Sequence, residues 1–453
     1  MIKYPQFIFS WILGICLATC AFADAKRPPN VILILADDFG YEALGVNGAE
    51  QVQTPNLDRL AAEGVRFTNC FANPICTPSR VKIMTGQYNV RNYVKFGLLD
   101  RSQSTFANLA KEAGYATCIA GKWQLGKEVD SPQHFGFEQS CLWQHTRKKE
   151  RQVDKQKVDT RFVNPQMEIN GKPFDYTNGE YGPQVCADFV SDFMEANKDE
   201  PFLVYYPMIL THCPFDPTPD SDDWDPTRLG STSYKGDQKR PQVHFKDMAS
   251  YMDKIVGQLE AKLEALGIRD NTLILFTGDN GTDTPIVTRW QGKDIAGGKG
   301  TTTDAGTRVP LIANWPGKIQ SELVTDELVD FTDFLPTLCE VMQIPLPESD
   351  PGDGVSIWPT LIGGERYKPY ASVWFMGLGK FPAKIYARTK EYRYLCNLDL
   401  SQPVFADVSQ PYEPIRLDPE ALTAEQKEVM NELKQQVTKM ASVPTIRKES
   451  KGR

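Results

Sequence analysis

Asn30-Val31-Ile32-Leu33-Ile34-Leu35-Ala36 is an unbroken β-branched and aliphatic run that halts at Asp37-Asp38-Phe39-Gly40. It is too short for a typical helix and shows no polar alternation. That pattern predicts a strand buried on both faces, as in the middle of a parallel sheet. The two carboxylates that follow stand where open α/β sheets place their ligands, at the C-terminal end of a strand. A turn or helix cap is the plainer reading of Asp-Asp taken alone.

The same punctuation recurs along the chain. Residues 54–64 read as a helix with Thr54 at the N-cap, Pro55 in the first position, Leu57, Leu60 and Ala61 on one face and Gly64 at the end. Residues 65–72 read as a strand, 105–113 as a helix closed by Gly114, and 115–120 as a strand that delivers Gly121-Lys122-Trp123-Gln124-Leu125-Gly126. The charge-rich, aperiodic stretch 144–159 is expected to be a solvated loop or insertion, with a substrate-facing basic patch around Arg147-Lys148-Lys149 as the alternative. A helix over 185–197 and a strand over 202–210 lead to Thr211-His212-Cys213-Pro214, and 216–241 is a long loop. An amphipathic helix over 244–266 precedes a strand over 272–277, which runs into Gly278-Asp279-Asn280-Gly281. A glycine-rich loop, Gly297-Gly298-Lys299-Gly300, then leads to a strand over 309–314 and a helix over 331–342. Past Tyr370 the pattern changes to short antiparallel strands (373–375, 384–388, 392–396) and a charged helix over 418–440. The fold class is therefore α/β: a mixed, mostly parallel sheet sandwiched by helices over 24–369, with a smaller α+β subdomain over 370–453.

Composition narrows the function. A net charge of −8 argues against a general nucleic-acid binder, so any anion site must be local. Residues 7–23 are an apolar run behind Lys3 that ends in Ala21-Phe22-Ala23, a small-x-small cleavage pattern, so 1–23 is expected to be a signal peptide. The location that follows is secreted or periplasmic; an uncleaved anchor, or lipidation at Cys20, is the alternative, and no later stretch reads as a membrane span. Of ten cysteines, Cys16 and Cys20 fall in this leader. Eight remain, and setting Cys76 aside leaves an odd number, so they cannot all form disulfides. Cys70, Cys118 and Cys339 lie in apolar runs and read as core thiols.

Cys76-Thr77-Pro78-Ser79-Arg80 carries the chemistry. Pro78 suits the first turn of a helix, which sets Cys76 just ahead of an N-terminus that favours anions. Arg80, one turn in, offers a planar fork to a tetrahedral oxyanion. A lone cysteine is more often a buried structural residue, so the assignment rests on what surrounds it. Asp37, Asp38, Lys122, His212, Asp279 and Asn280 all fall at or just after a strand's C-terminal end, and such ends converge on one edge of a parallel sheet. Asp37, Asp38, Asp279 and Asn280 are oxygen donors, which suits Ca²⁺ or Mg²⁺ and disfavours zinc. Arg80, Lys122 and Lys299 are cations able to surround a tetrahedral anion, although Lys299 would otherwise pass for a loop charge.

Together these segments resemble the type I, formylglycine-dependent sulfatases of the alkaline phosphatase superfamily. The matching stretches are 30–40, 54–67, 76–86, 121–126, 211–214, 277–281 and 297–316, and the resemblance extends from Pro29 to the C-terminal helix. It implies that Asp37, Asp38, Asp279 and Asn280, with residue 76, bind Ca²⁺ rather than Mg²⁺. It implies that a formylglycine-generating or sulfatase-maturing enzyme oxidises Cys76 to formylglycine (3-oxoalanine). One oxygen of the hydrated aldehyde would attack sulfur, and the other would expel sulfate. Arg80, Lys122 and Lys299 would neutralise the sulfuryl oxygens, and His212, with Lys299, would protonate the leaving alcohol. Gln124 stands where many sulfatases carry a histidine, and an amide positions but does not ionise. A sulfated carbohydrate is the expected substrate, with Trp143, Trp224, Trp290 and Trp374 as sugar-stacking or packing residues. A phosphoester or phosphonate hydrolase, and a non-catalytic sulfated-glycan-binding protein, are the rival readings.

Overall fold

The computed structural model describes residues 27–148, 150–153, 155–231 and 240–446; the expected leader, 1–23, lies outside them. The strands, in chain order, are β1 Asn30–Ala36, β2 Val65–Phe71, β3 Ala116–Lys122, β4 Gln139–Trp143, β5 Glu150–Val153, β6 Gln156–Asp159, β7 Gln166–Ile169, β8 Lys172–Asp175, β9 Phe202–Pro207, β10 Thr272–Gly278, β11 Val287–Trp290, β12 Lys293–Ala296, β13 Arg308–Asn314 and β14 Leu323–Asp330. A C-terminal group follows: β15 Ala371–Phe375, β16 Lys384–Arg388, β17 Tyr392–Cys396, β18 Val404–Asp407 and β19 Ile415–Arg416. Ten strands form one sheet in the order β14-β2-β13-β10-β1-β9-β3-β4-β7-β8. Within it β13 and β7 run against the other strands. β15 to β19 make a separate five-stranded antiparallel sheet.

β1 is central because its sequence tolerates no solvent. Every one of its residues is buried, and its neighbours β9 and β10 both run parallel to it. Alternate side chains feed two cores. Val31, Leu33 and Leu35 pack with Val81, Ile83, Phe106 and Leu338 from helices on one face. Ile32, Ile34 and Ala36 pack with Leu57, Val190, Met252 and Ile255 from helices on the other. Each such aliphatic side chain contributes about 1.5–3 kcal/mol by leaving water.

Several expectations shift at their edges. The helix Pro55–Ala62 does not use the Thr54 side chain as its cap; Thr54 Oγ1 accepts from Gly45 N at 2.9 Å instead. Asp253, reaching across from the helix Pro241–Ala265, takes the N–H groups of Asn56 and Leu57 at 3.1 and 2.8 Å. The stretch 144–159 is not simply a loop: β5 and β6 form a hairpin there, since Arg151, Val153 and Val158 are each at least partly buried on it. The helix expected from 331 begins at Phe334, after a tight turn in which the Asp330 carboxylate accepts from Thr332 N. All eight described cysteines are buried free thiols. Among the described residues, no helix is long and apolar enough to cross a membrane.

Candidate active site

Strand register assembles the site before any side chain is considered. Ala36 pairs with Gly278 across β1 and β10, so Asp37 and Asp279 leave the sheet side by side. Gly278 is needed there, because a Cβ would lie 2.1 Å from the Phe39 carbonyl oxygen. β3 ends on Lys122, two strands away, and β9 runs on to His212. β13 is antiparallel, so its start lies at this same edge and brings the preceding Lys299 loop with it. Gly300 N donates to Pro74 O at 2.8 Å, tying that loop to the segment before Cys76.

Cys76 is the first residue of the helix Cys76–Thr85, with Ile75 as N-cap. Cys76 thus opens the helix rather than standing just ahead of it, and Pro78 lies in the first turn as expected, where the N–H groups lack partners in the helix. Arg80 lies a turn on, its guanidinium 3.0 Å from Asp279 Oδ2 and 3.0 Å from the Lys122 carbonyl oxygen. Lys122 Nζ donates to both oxygens of Asp37, at 3.1 and 2.8 Å. Lys299 Nζ pairs with Asp38 Oδ2 and lies 3.2 Å from His212 Nε2, so it is no idle loop charge. Asn280 Nδ2 donates to Asp38 Oδ1 at 2.9 Å. Cys76 Sγ donates to Gln124 Oε1 at 2.9 Å, and Thr77 Oγ1 does so at 3.2 Å. Asp38 and Gln124 both hold left-handed backbone, φ 60° and 55°. Such strain costs about 1–3 kcal/mol per residue and is typical of functional sites.

These groups suit a hard cation. Ligand atoms of Asp37, Cys76 and Asp279 all lie within 4.8 Å of one another, as do those of Asp37, Asp38 and His212. Asn280 Oδ1 is buried with no hydrogen-bond partner. A buried, unpartnered amide oxygen on a side chain that touches Asp38 is the kind of ligand an oxygen-preferring ion takes. Charge tells the same story. Burial, with the charge of Asp37, pushes the Asp279 carboxyl up to about 7. Burial likewise raises Asp38 to about 6 against the pull of Lys299. At Asp37 burial acts in the same upward direction, but Lys122, Arg80 and Lys299 outweigh it and hold the carboxyl below its ordinary value. His212 is pushed well below the usual imidazole range by burial, then by Lys299, Lys122 and Arg161.

The site opens into a cavity of about 250 Å³ lined by Cys76, Lys122, Gln124, His212 and Lys299 and, from the C-terminal part, Phe381. Arg161 also lines it and escaped the sequence reading. It is clamped by Asp159 at 2.9 and 3.0 Å, stacks 4.3 Å over the Trp143 ring and reaches His212 Nδ1 at 2.6 Å. Its only sequence signal was its place two residues past the charged stretch, where no strand was expected but β6 ends. Trp143, Trp290 and Trp374 are buried and unavailable to sugars, because each ring fills a packing position. Trp224 is half-buried, edge-on to Tyr181.

With that geometry in place, comparison with known proteins agrees. A sequence model of the sulfatase family matches residues 29–344. Mouse N-acetylgalactosamine-6-sulfatase is 29% identical over 403 residues, 82% of this chain and 74% of that protein. Human arylsulfatase A is 32% identical over 391 residues, 80% of this chain and 73% of that protein. The crystal structure of Ps i-CgsB, also solved in complex with k-i-k-neocarrahexaose, superposes with a TM-score of 0.72 at 22% identity, over 92% of this chain and 93% of that one. The fold is also shared with a phosphonate monoester hydrolase of Agrobacterium radiobacter, TM-score 0.64 at 20% identity, over 91% and 95% of the two chains. Fold alone does not separate the two chemistries; the family match over most of the chain does, and the chain belongs to the sulfatases, sulfuric ester hydrolases of the alkaline phosphatase superfamily.

Proposed function

We propose that the protein hydrolyses sulfate esters of a carbohydrate, with formylglycine at position 76 as nucleophile and Ca²⁺ at Asp37, Asp38, Asp279 and Asn280. The single observation that carries this reading is Cys76 Sγ lying within 4.8 Å of carboxylate oxygens of both Asp37 and Asp279. Bound there, the ion would offset the carboxylates and the negative sulfuryl oxygens as charge shifts.

The chain's own groups supply the rest. Arg80 is fully buried behind the cavity wall, where it holds Asp279 and the Lys122 carbonyl in place, so both meet the substrate without reorganisation. Lys122 and Lys299 line the same cavity. A hydrated aldehyde at position 76 would supply the hydroxyl that bonds to sulfur as the bond to the leaving alcohol breaks, its proton passing to the neighbouring Asp279 carboxylate. That alcohol takes its proton from the Lys299–His212 pair. The second hydroxyl of that hydrate would restore the aldehyde as the carbon–oxygen bond to sulfate breaks, its proton leaving to water. Gln124, touching both position 76 and Thr77, fixes the orientation of the hydroxyls but takes no proton.

Cys76 is only 2% exposed, so the maturing enzyme must reach it before the helix packs. Export through the leader at 1–23, to the periplasm or beyond, belongs to the same proposal. The carbohydrate class rests on relatives named for N-acetylgalactosamine 6-sulfate and on the neocarrahexaose complex of Ps i-CgsB. The test is turnover by matured protein of sulfated sugars and their phosphate counterparts. We expect the sulfate ester to be cleaved at least tenfold faster; preference for phosphate contradicts the reading.

A further inference from the structure

Beside the active-site cavity lies a second one, of about 440 Å³, lined by Lys127, Arg147, Lys148, Arg151, Lys157 and Glu150. The two cavities share Gln144. Gln144 follows the last residue of β4, Trp143, whose register partner is Lys122 at the end of β3. Lys127 likewise follows the loop after β3. The second cavity therefore sits on the catalytic edge of the sheet, one strand outward. Gln144 holds left-handed backbone, φ 58°, which a residue with a side chain adopts at a cost and which is worth explaining by function.

Its charge is far from balanced. Among the described residues, the carboxylates in ion-pair reach of these five cations are Asp175, on Arg147, and Glu150, 3.7 Å from Lys157. Five cations against two anions leave an excess of three, on a chain whose net charge is −8. The guanidinium of Arg151 is fixed in place, donating to Leu229 O at 2.7 Å and Asn164 O at 3.2 Å. Lys127, Lys148 and Lys157 are exposed and extend toward solvent. A preorganised arginine with exposed lysines around a concave floor fits anionic groups on an extended chain.

We propose that this groove, whose role rests on the sulfatase reading of the adjoining site, binds sulfate or carboxylate groups on the sugars flanking the one being desulfated. The substrate is then a polyanionic oligosaccharide, held across both cavities with Gln144 at the junction. A small uncharged aglycone gains nothing from the groove.

Calorimetry on Cys76→Ala protein tests it without relying on turnover. The probe is a hexasaccharide sulfated on alternate sugars, and the comparison adds K127A, K148A and K157A together. We expect at least tenfold weaker binding in the triple variant and a shallower dependence of affinity on salt, with binding of the sulfated monosaccharide unchanged. Equal affinity of the two proteins for the hexasaccharide overturns the proposal, as does parallel loss for both ligands. A hexasaccharide carrying uronates in place of the flanking sulfates shows which anion the groove takes. Failure of matured protein to cleave any sulfate ester would instead sink the catalytic reading, leaving the binding result to stand by itself.

Discussion

One helix serves two buried charge clusters that behave in opposite ways. Arg80 reaches Asp279 and Asp37 at the catalytic edge. Two residues on, Lys82 reaches Asp330 at 2.9 Å and the Ser372 carbonyl at 2.7 Å. The charges of the Asp330 cluster are paired within the chain. Lys368 lies 3.0 Å from Asp330, and the N–H groups of Thr332 and Ser372 donate to its oxygens. Against burial, Lys368 and Lys82 hold Asp330 far below the usual carboxylate range. At the catalytic edge three carboxylates converge, two of them are pushed up to about 6 and 7, and an amide oxygen has no partner. Like charges brought together against their own interest mark a place built for a ligand; a satisfied network marks a place built for stability.

Substitutions should split along this line. Arg80→Met should lower kcat/KM by at least about a thousandfold, the scale of losing a fixed charge from a preorganised site. Lys82→Met should instead strand Asp330 and cost about 3–5 kcal/mol of stability, with kcat per folded molecule unchanged. Denaturant melts alongside steady-state rates separate the two; the opposite assignment would break the comparison.

Chelation is the next largest effect. EDTA should abolish turnover and lower Tm, and Ca²⁺ should restore both. Asp330→Asn should leave the size of that Ca²⁺-dependent Tm shift untouched, whereas Asp279→Asn should remove most of it.

The pH response should differ in sign. Asp330 is depressed, so its contribution is full above about pH 4 and is lost only as pH falls far below that. Asp38 and Asp279 are raised, so the folded state binds protons that the unfolded state releases between about pH 4 and their folded values of about 6 and 7. In EDTA the protein should therefore gain stability as pH falls from 8 toward about 6.5, below which His212, depressed on folding, offsets part of the gain. Asp279→Asn should flatten that gain, and an unchanged profile would count against the crowded carboxylates.

The smallest effect concerns Gln124. Gln124→Ala should reduce kcat about tenfold to a hundredfold with little change in KM, the loss of a positioning contact. Unchanged activity would remove Gln124 from the site.

Much of this was legible in the chain because strand-end residues are written locally. Val31 to Ala36 announces a central strand, and Asp37, Lys122, His212 and Asp279 each follow such a run. Lys299 was harder to weigh, because its nearness depends on β13 running against its neighbours. Arg161 was hard to see, since its contact with His212 is made from the segment after β6, a strand the charged sequence did not announce. The Asp253 cap on a distant helix and the partly buried hairpin of β5 and β6 were missed for the same reason. Contacts set by tertiary approach leave no local period to read.

The proposed catalysis turns on residue 76 being an aldehyde beside the carboxylates of Asp37 and Asp279. Peptide mass spectrometry of active protein reads this directly. Formylglycine at position 76, in proportion to the sulfate-ester turnover of each preparation, is the predicted result. Full turnover with an unmodified Cys76 would contradict it.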